Sequence, residues 1–255
     1  MLINGKQMHI QITKGQIGRY VILPGDPGRC ERIAAYFDQP EKLSSNREYT
    51  VWRGLLDGVP VAVCSTGIGG PSTAIAIEEL VECGADTFIR VGTSGGIVEN
   101  VRGGDVVIAT AAVRQEGTTR EYMPIEYPAA ADFSVVSALH EAALRLGYRQ
   151  HVGVIQSKDS FYGEIRPSEQ PVAGELDAKW RAWKAAGVLT SEMECSTVFV
   201  VGAVRHARCG GVLNVLWNAD TDDTLDASPE MAERGVRTAI EALRILIARD
   251  REEPK

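Results

Sequence analysis

Two carboxylates lie close together in a stretch of sequence that is otherwise apolar. Residues 190–196 read TSEMECS, so Glu192 and Glu194 flank a single residue, Met193. An ionised carboxylate only accepts hydrogen bonds, and its two oxygens can bind neighbouring donors. In a strand, alternation would place Glu192 and Glu194 on one face and Met193 on the other. The same carboxylates would also favour a helix over STVFVVGAV, and the two roles can coexist.

A single arginine interrupts the apolar strand predicted for TFIRVGTSGG. Burying a guanidinium without a partner is costly, so Arg90 requires either an internal carboxylate or a bound anion. The strand alone leaves both alternatives open. The glycine-rich loop that follows Arg90 favours a ligand, because a backbone without side chains can approach one closely.

A second arginine lies at the start of a predicted helix in LPGDPGRCERIA. Asp26 and Pro27 are typical of a helix start, and Gly25 allows a tight turn. Exposed N–H groups at such a turn attract anions, and Arg29 adds a planar set of donors that suits phosphate. Taken alone, this stretch is more typical of a turn with a solvated arginine, since exposed arginines are common.

Two other motifs carry less information. Arg47 and Glu48 in SSNREYTVWRG are typical of a solvated pair on a surface strand. STGIGGPS opens a predicted helix, but Ser72 stands where the dinucleotide-binding motif requires its third glycine, and no P-loop sequence occurs. These observations disfavour a Rossmann dehydrogenase and a P-loop ATPase.

The elements that position these residues alternate along the chain. Short β-branched runs predict strands, and several are apolar at consecutive positions, as strands covered on both faces must be. Helix patterns lie between them, and PSTAIAIEELVECG has Pro71 near its start and Gly84 just beyond its end. We therefore expect one domain over residues 1–255, with a three-layer α/β/α fold and a mixed central sheet. Ligands of such sheets bind outside the carboxyl ends of the strands.

The composition of the chain argues against several classes of function. The chain has 255 residues, of which 44% are hydrophobic and 24% charged, and its formal charge of -7 argues against a nucleic-acid or anionic-membrane surface. No apolar run approaches the ~20 residues that span a bilayer, and the first residues lack the apolar core of a signal peptide. The histidines show no zinc-binding spacing, and the five cysteines form no C-x-x-C pair. We expect a cytoplasmic protein with reduced, buried thiols.

Taken together, the motifs resemble a known family. GDPGR, NREYT, STGIGGPS, RVGTSGG, DSFY and SEMEC occur in the order and spacing of the nucleoside phosphorylase family, over nearly the whole chain, and are most similar to its uridine phosphorylase branch. The resemblance implies the nucleoside phosphorylase fold, with a central sheet that is partly barrel-like. It also implies a pentosyltransferase that cleaves a nucleoside with inorganic phosphate into free base and α-D-ribose 1-phosphate, in nucleoside salvage or catabolism. The implied enzyme has no organic cofactor and forms a dimer-based hexamer.

The resemblance assigns a phosphate site to the motif arginines. It implies that Gly25, Arg29, Arg90 and Thr93 surround the phosphate, and that a neighbouring subunit supplies Arg47. This agrees with the chemistry, because planar guanidinium groups hold an anion with several charge-assisted hydrogen bonds.

The resemblance also implies a sugar site. It places Glu194 on the 2′,3′-diol of ribose, Met193 against the sugar and Glu192 close by, while His9 reaches the 5′-hydroxyl of a ribose in the adjacent subunit. Because strand alternation would separate Met193 from its neighbours, a turn or bulge must bring the three side chains together.

The base site departs from the family pattern. Phe161 and Gly95 match it, but Glu164 stands at the position of a glutamine, in a loop that is one residue shorter. A carboxylate can accept from the N3–H of uracil but repels the carbonyl oxygens of that base. A second family arginine corresponds to Ala219, so the positive group that stabilises the departing uracil is lost unless Arg166 or another residue replaces it.

We therefore predict a nucleoside phosphorylase for uridine or a related pyrimidine nucleoside, with Arg90, Glu194 and Arg166 as catalytic residues. The alternative is a purine nucleoside phosphorylase, since Glu164 suits the adjacent donors of guanine and an aspartate after VLWN could protonate a purine. The candidate aspartates are Asp220, Asp222 and Asp223, which are also typical of a solvated loop. A nucleoside hydrolase and a noncatalytic nucleoside-binding protein are more distant alternatives.

The resemblance implies one further site. Glu48, Ile68 and Ser72 match positions that bind a monovalent cation, such as K⁺, at the dimer interface of some uridine phosphorylases. Nothing else in the sequence would suggest a cation there.

Overall fold

The computed structural model describes residues 1–218, 221 and 229–252. Within these residues the strands are β1 (Leu2–Ile3), β2 (Lys6–Gln7), β3 (Tyr20–Pro24), β4 (Asp38–Asn46), β5 (Tyr49–Leu56), β6 (Val59–Cys64), β7 (Thr87–Gly96), β8 (Val106–Gln115), β9 (Ala129–Ala130), β10 (Gln150–Lys158), β11 (Thr190–Glu192) and β12 (Arg208–Asn218). The α-helices are α1 (Gly28–Ala34), α2 (Gly70–Glu82), α3 (Phe133–Arg145), α4 (Phe161–Ile165), α5 (Ala173–Ala185), α6 (Cys195–Val204) and α7 (Pro229–Glu252). Two short 3₁₀ helices cover Thr118–Glu121 and Pro167–Glu169.

Most of the strands form one mixed sheet. Its order is β11-β10-β8-β12-β7-β3-β6-β5-β4, with β9 beside β8. The pairs from β7 through β3 to β6 are parallel, whereas β5 pairs with both β4 and β6 in the antiparallel sense. Because β11 also pairs with β7, the strands β7, β12, β8, β10 and β11 close into a barrel-like ring. The predicted mixed, partly barrel-like sheet is confirmed.

Helices cover both faces of the sheet and complete three layers. Residues of α2 and α6 pack in one buried cluster with Phe88 of β7. Residues of α1, α3 and α7 pack in a second cluster with Ile89 and Val91 of the same strand. Successive side chains of a strand point to opposite faces, which explains why β7 is apolar at consecutive positions. Arg90 interrupts this pattern and is nevertheless buried.

Local sequence signals set the limits of α2. The helix begins at Gly70, has Pro71 at its second position and ends at Glu82. Gly84 follows with a φ of 111°, a conformation that favours glycine and stops a helix. Both limits agree with the prediction from the sequence.

The cysteines agree with their prediction too. All five are buried free thiols, and burial raises the pKa of Cys30 to about 12, so that this thiol stays protonated at neutral pH. Among the described residues, no helix is both long and apolar enough to cross a membrane.

Candidate active site

A cavity of about 750 Å³ opens where several strands of the sheet end. Its walls come from the loops after β3 and β6, the last residues of β7, the segment from β10 into α4, and the turn after β11. This is the location that the α/β pattern predicts for a ligand. The predicted site residues that line it are Gly25, Arg29, Ile68, Arg90, Thr93, Gly95, Phe161, Glu164, Glu192, Met193 and Glu194.

Arg90 is buried between two carboxylates at the base of this cavity. Its Nε lies 2.9 Å from an oxygen of Glu192, and its Nη2 pairs with Glu194. Burial alone would lower the pKa of Arg90, but the charges of Glu194 and Glu192 raise it above its ordinary value. The Nη1 group is buried and has no hydrogen-bond partner among the described residues. The structure contains the internal carboxylates, and it remains compatible with a bound anion as well, because the two N–H donors of Nη1 are unpaired.

A glycine makes room for this guanidinium. A Cβ atom on Gly92 would lie 2.8 Å from Nη2 of Arg90 and 2.8 Å from a methyl group of Leu213. Real Cβ atoms do not approach other atoms so closely, so any side chain at this position would displace Arg90 or Leu213.

Glu192 ends β11 and holds the turn that follows it. One carboxylate oxygen accepts the backbone N–H of Glu194 at 2.8 Å, and the other accepts that of Cys195 at 2.9 Å and the hydroxyl of Ser157. Burial would raise the pKa of Glu192, but Arg90 and these hydrogen bonds lower it below the ordinary carboxylate value. Glu192 thus stabilises the first residues of α6, the structural role that the sequence allows for it.

Glu194 has a different environment. Its Oε1 accepts the backbone N–H of Gly69 at 2.6 Å, in a loop where Gly69 has a φ of 92°. Burial raises the pKa of Glu194, and the neighbouring charge of Glu192 raises it further against the opposing effect of Arg90. The strand stops at Glu192, so the turn that follows it brings Met193 and Glu194 to the cavity together, as the sugar-site prediction requires.

A second guanidinium lies near Arg90 without a carboxylate of its own. The side chain of Arg29 is half-buried and makes no hydrogen bond or ion pair with any described residue. Burial lowers the pKa of Arg29, and the positive charge of Arg90 lowers it further. Two guanidinium groups that repel each other in a partly buried cavity make this wall attractive to an anion.

Of the four predicted base residues, Gly95, Phe161 and Glu164 line the cavity and Arg166 does not. Half of the Phe161 side chain is exposed, and Glu164 is held by Lys158, whose Nζ lies 2.6 Å from its Oε2. The guanidinium of Arg166 lies 4.7 Å from the ring centre of Tyr162 and 3.4 Å from Glu169, at the surface.

Two residues that the resemblance assigns to a neighbouring subunit do not line the cavity of their own chain. Arg47 is exposed, has a φ of 53° between β4 and β5, and contacts no charged partner among the described residues. The ring Nδ1 of His9 lies 2.7 Å from Glu79. Asn46 donates to the carbonyl oxygen of His9 at 2.8 Å, so His9 and the turn that carries Arg47 lie side by side.

The residues of the predicted cation site gather around one loop. A Cβ atom on Gly67 would meet the side chain of Glu48 at 2.9 Å and the hydroxyl of Ser72 at 3.2 Å. Ser72 also donates to the carbonyl oxygen of Ile68 at 3.4 Å, and the Ile68 side chain is exposed. Glu48, Ile68 and Ser72 are therefore close together.

Comparison with known proteins places the chain in a family. The sequence pattern of the phosphorylase superfamily matches residues 19–248. The chain belongs to the phosphorylase superfamily. This match confirms the family resemblance that the six sequence motifs indicate, and it covers the cavity and every strand of the main sheet.

Similar members of the superfamily carry two kinds of name. The chain is 50% identical to a protein named uridine phosphorylase from Treponema pallidum, over 96% of this chain and 95% of the relative. It is 42% identical to the uridine phosphorylase of Escherichia coli, with 94% and 97% of the two chains covered. A protein named guanosine phosphorylase from Halorubrum lacusprofundi is 38% identical, with 94% and 99% covered. Uridine phosphorylase is the name of most of these relatives.

One residue of this superfamily site escapes sequence reasoning. Lys158 is the last residue of β10, is almost completely buried, and lines the cavity beside Glu164. Its place at the carboxyl end of a strand could have indicated a ligand contact. The sequence analysis also considers four residues near the predicted base site. These residues, Ala219, Asp220, Asp222 and Asp223, lie outside the described residues.

The contrast between the two acids predicts different effects on stability. Because the pKa of Glu192 is lowered on folding, its ionisation stabilises the native state above the ordinary carboxylate pKa, and this contribution is lost as the pH falls through the lowered value. The pKa of Glu194 is raised, so its ionisation opposes folding at neutral pH. We expect Glu192→Gln to lower the unfolding free energy by roughly 1–3 kcal/mol, because its new amide must face hydrogen-bond donors.

Urea unfolding at pH 7 measures this difference, with Glu194→Gln as the matched variant. We expect the smaller loss for Glu194→Gln. An equal or larger loss for Glu194→Gln would contradict the assignment of the structural role to Glu192.

Proposed function

We propose that this protein is a nucleoside phosphorylase that splits uridine with inorganic phosphate into uracil and α-D-ribose 1-phosphate. The observation that carries the proposal is the unpartnered Nη1 of Arg90, in a cavity that also contains the unpaired Arg29 and the carboxylate of Glu194. The name uridine phosphorylase, which the relatives from Treponema pallidum and Escherichia coli carry, supports uridine as the substrate.

Phosphate binds on the wall formed by Arg29 and Arg90. Gly25 and Thr93 line the same cavity, and neither presents a negative charge. Guanidinium groups hold phosphate with charge-assisted hydrogen bonds and fix its orientation. Positioning the attacking oxygen next to the anomeric carbon can lower the barrier by roughly 7–11 kcal/mol at best, relative to a chance encounter in solution.

Ribose binds between the phosphate and the turn after β11. Glu194 accepts hydrogen bonds from the 2′- and 3′-hydroxyls, since each of its oxygens can accept more than one bond. Arg90 links the two ligands, because it pairs with Glu194 and forms part of the phosphate wall. Met193 packs against the sugar, as its place in the cavity allows.

A purine nucleoside is the second candidate, and two observations favour it. Glu164 is a carboxylate, which suits the adjacent N–H donors of guanine, and one similar protein is named guanosine phosphorylase. Phe161 can stack on either type of base. Lys158 offsets the charge of Glu164, which weakens the repulsion of uracil and supports the first candidate.

A panel of nucleosides tests the function directly. Uridine, thymidine, cytidine, inosine, guanosine and adenosine are incubated with the protein, with and without inorganic phosphate, and free base is measured. We expect release of uracil from uridine that depends on phosphate. Phosphate-independent release would indicate a hydrolase, reaction of purines alone would establish the second candidate, and no release would leave a binding protein.

The sugar contact predicts a change in kinetics. Glu194→Gln is expected to lower kcat/KM for uridine by roughly 10- to 100-fold, the range for a hydrogen bond to a charged group. The loss should be smaller for 2′-deoxyuridine, which lacks one of the two donors. Because this variant is expected to stay folded, unchanged kinetics would exclude Glu194 from the sugar site.

The active sites are shared between subunits of a dimer-based hexamer. His9 and the turn that carries Arg47 lie side by side, and neither residue lines its own cavity, which supports the implied role of each at the site of a neighbour. An isologous dimer exchanges the same residues in both directions, so each of its two sites is complete only when both subunits contribute.

Mixing two variants of low activity tests this sharing. In a dimer of an Arg47→Ala and a Glu194→Gln subunit, one site keeps both residues and the other loses both. After the two variants are unfolded and refolded together, random pairing should restore about one quarter of the wild-type activity. Each variant refolded alone is the control, and failure of the mixture to exceed both controls would contradict sharing.

Three further interpretations stay predictions. They are the contribution of Arg166 to catalysis, a monovalent cation at Glu48, Ile68 and Ser72, and a cytoplasmic location.

A further inference from the structure

During the reaction, negative charge develops on the base, and the base-binding part of the cavity must stabilise it. When phosphate attacks uridine, an oxygen of phosphate bonds to C1′ and the C1′–N1 bond breaks, leaving its electron pair on the base. The departing uracil is an anion until it takes a proton from water, and its charge spreads onto both carbonyl oxygens. A fixed positive group beside these oxygens stabilises the transition state. The family resemblance puts Ala219 where such a group would stand, so another cation is required.

Lys158 is a buried cation beside the predicted base residues. Only 7% of its side chain is exposed, and it lines both the main cavity and an adjoining one of about 270 Å³. Its Nζ lies 2.6 Å from Glu164 Oε2 and 2.5 Å from the hydroxyl of Ser191. An ammonium group has three N–H donors, and no described residue accepts the third.

Neighbouring side chains hold this ammonium group in place. The Ser191 hydroxyl lies 2.5 Å from the amide oxygen of Gln156 and also contacts Glu164, and its one hydrogen can go to either acceptor. The amide nitrogen of Gln156 donates to Gln115 at 2.6 Å. The Gln115 oxygen also accepts from the indole N–H of Trp183 at 3.0 Å. This network fixes the Ser191 oxygen as an acceptor for Lys158, so the charge does not have to reorganise during the reaction.

The other cations near the cavity are less suited to this task. Arg29 and Arg90 line the phosphate wall, and Arg90 is engaged by two carboxylates. Arg166 is half-exposed and pairs with Glu169 outside the cavity. Among the described residues that line the cavity, Lys158 is therefore the remaining positive side chain.

We propose that Lys158 donates to a carbonyl oxygen of the base and stabilises the charge that develops there, while Glu164 holds Lys158 and accepts the adjacent ring N–H. The proposal rests on the proposed phosphorylase function and adds a catalytic and specificity-determining residue to it. The pair fits bases in which a carbonyl adjoins a ring N–H, such as uracil, hypoxanthine and guanine. It opposes cytosine and adenine, which present an amino group beside a ring nitrogen without hydrogen.

Two substrates with different leaving groups test the role of Lys158. Fluorine withdraws electrons, so the base of 5-fluorouridine leaves more readily than uracil and needs less stabilisation. Lys158→Met should lower kcat/KM for uridine by roughly 100-fold, within the range for the loss of a transition-state donor. The loss for 5-fluorouridine should be at least about tenfold smaller. Equal losses for both substrates would reduce Lys158 to a structural role and overturn the proposal.

The test includes a matched control at another lysine and a second variant in case Lys158→Met does not fold. Lys179 lines only the adjoining cavity and pairs with Glu175 at the surface, so Lys179→Met should leave both rates within about twofold of the wild type. If Lys158→Met does not fold because Glu164 is left unpaired, the double variant Lys158→Met/Glu164→Gln has no lone buried charge. It should show the same dependence on the leaving group.

The wild-type reaction separates the two claims. If the unchanged protein releases no uracil from uridine, the proposed function fails, and the role of Lys158 fails with it. If the wild type is active and Lys158→Met, or the double variant in its place, loses activity equally towards uridine and 5-fluorouridine, the role of Lys158 alone is wrong.

Discussion

The cavity depends on one buried guanidinium and the two carboxylates that surround it. Two negative charges and one positive charge in an apolar interior would be costly without further hydrogen bonds. Backbone N–H groups of Gly69, Glu194 and Cys195 supply those bonds, so the ion cluster is tied to the loop before α2 and to the first residues of α6. Gly92 leaves the space that the guanidinium occupies. The position of Arg90 therefore fixes the relation between β7, β11 and two helices.

Two adjacent acids of the same type can serve different purposes because their surroundings differ. Glu192 is saturated with donors from the protein, which keeps it ionised and unavailable to a ligand. Glu194 has fewer protein donors and lines the cavity, where ligand hydroxyls can complete its hydrogen bonds. Under the proposed function, hydrogen bonds from the substrate would offset the cost of burying this second charge.

The parts of this arrangement that depend on residues close together in the sequence could be predicted from it. The limits of α2 follow from Pro71 and Gly84, and the burial of β7 follows from its consecutive apolar residues. The order of the motifs identifies the family, and the family resemblance names most of the predicted site residues that line the cavity. The pairing of Lys158 with Glu164 and Ser191 could not be predicted, because it depends on the parallel register of β10 and β11 between distant segments. Helix α5 was also missed, since none of its residues is buried and its hydrophobic periodicity is weak.

The closure of the five-stranded ring has a consequence for motion. A strand within a closed ring has hydrogen-bonded neighbours on both sides, so displacing one strand breaks bonds at two seams rather than one. The walls carried by β7, β10 and β11 must then move as a unit. The five-residue helix α4 lies outside these pairings and exposes Phe161 and Tyr162 to solvent. Weakly packed segments open locally at low energetic cost, so α4 can move while the strands of the ring stay paired.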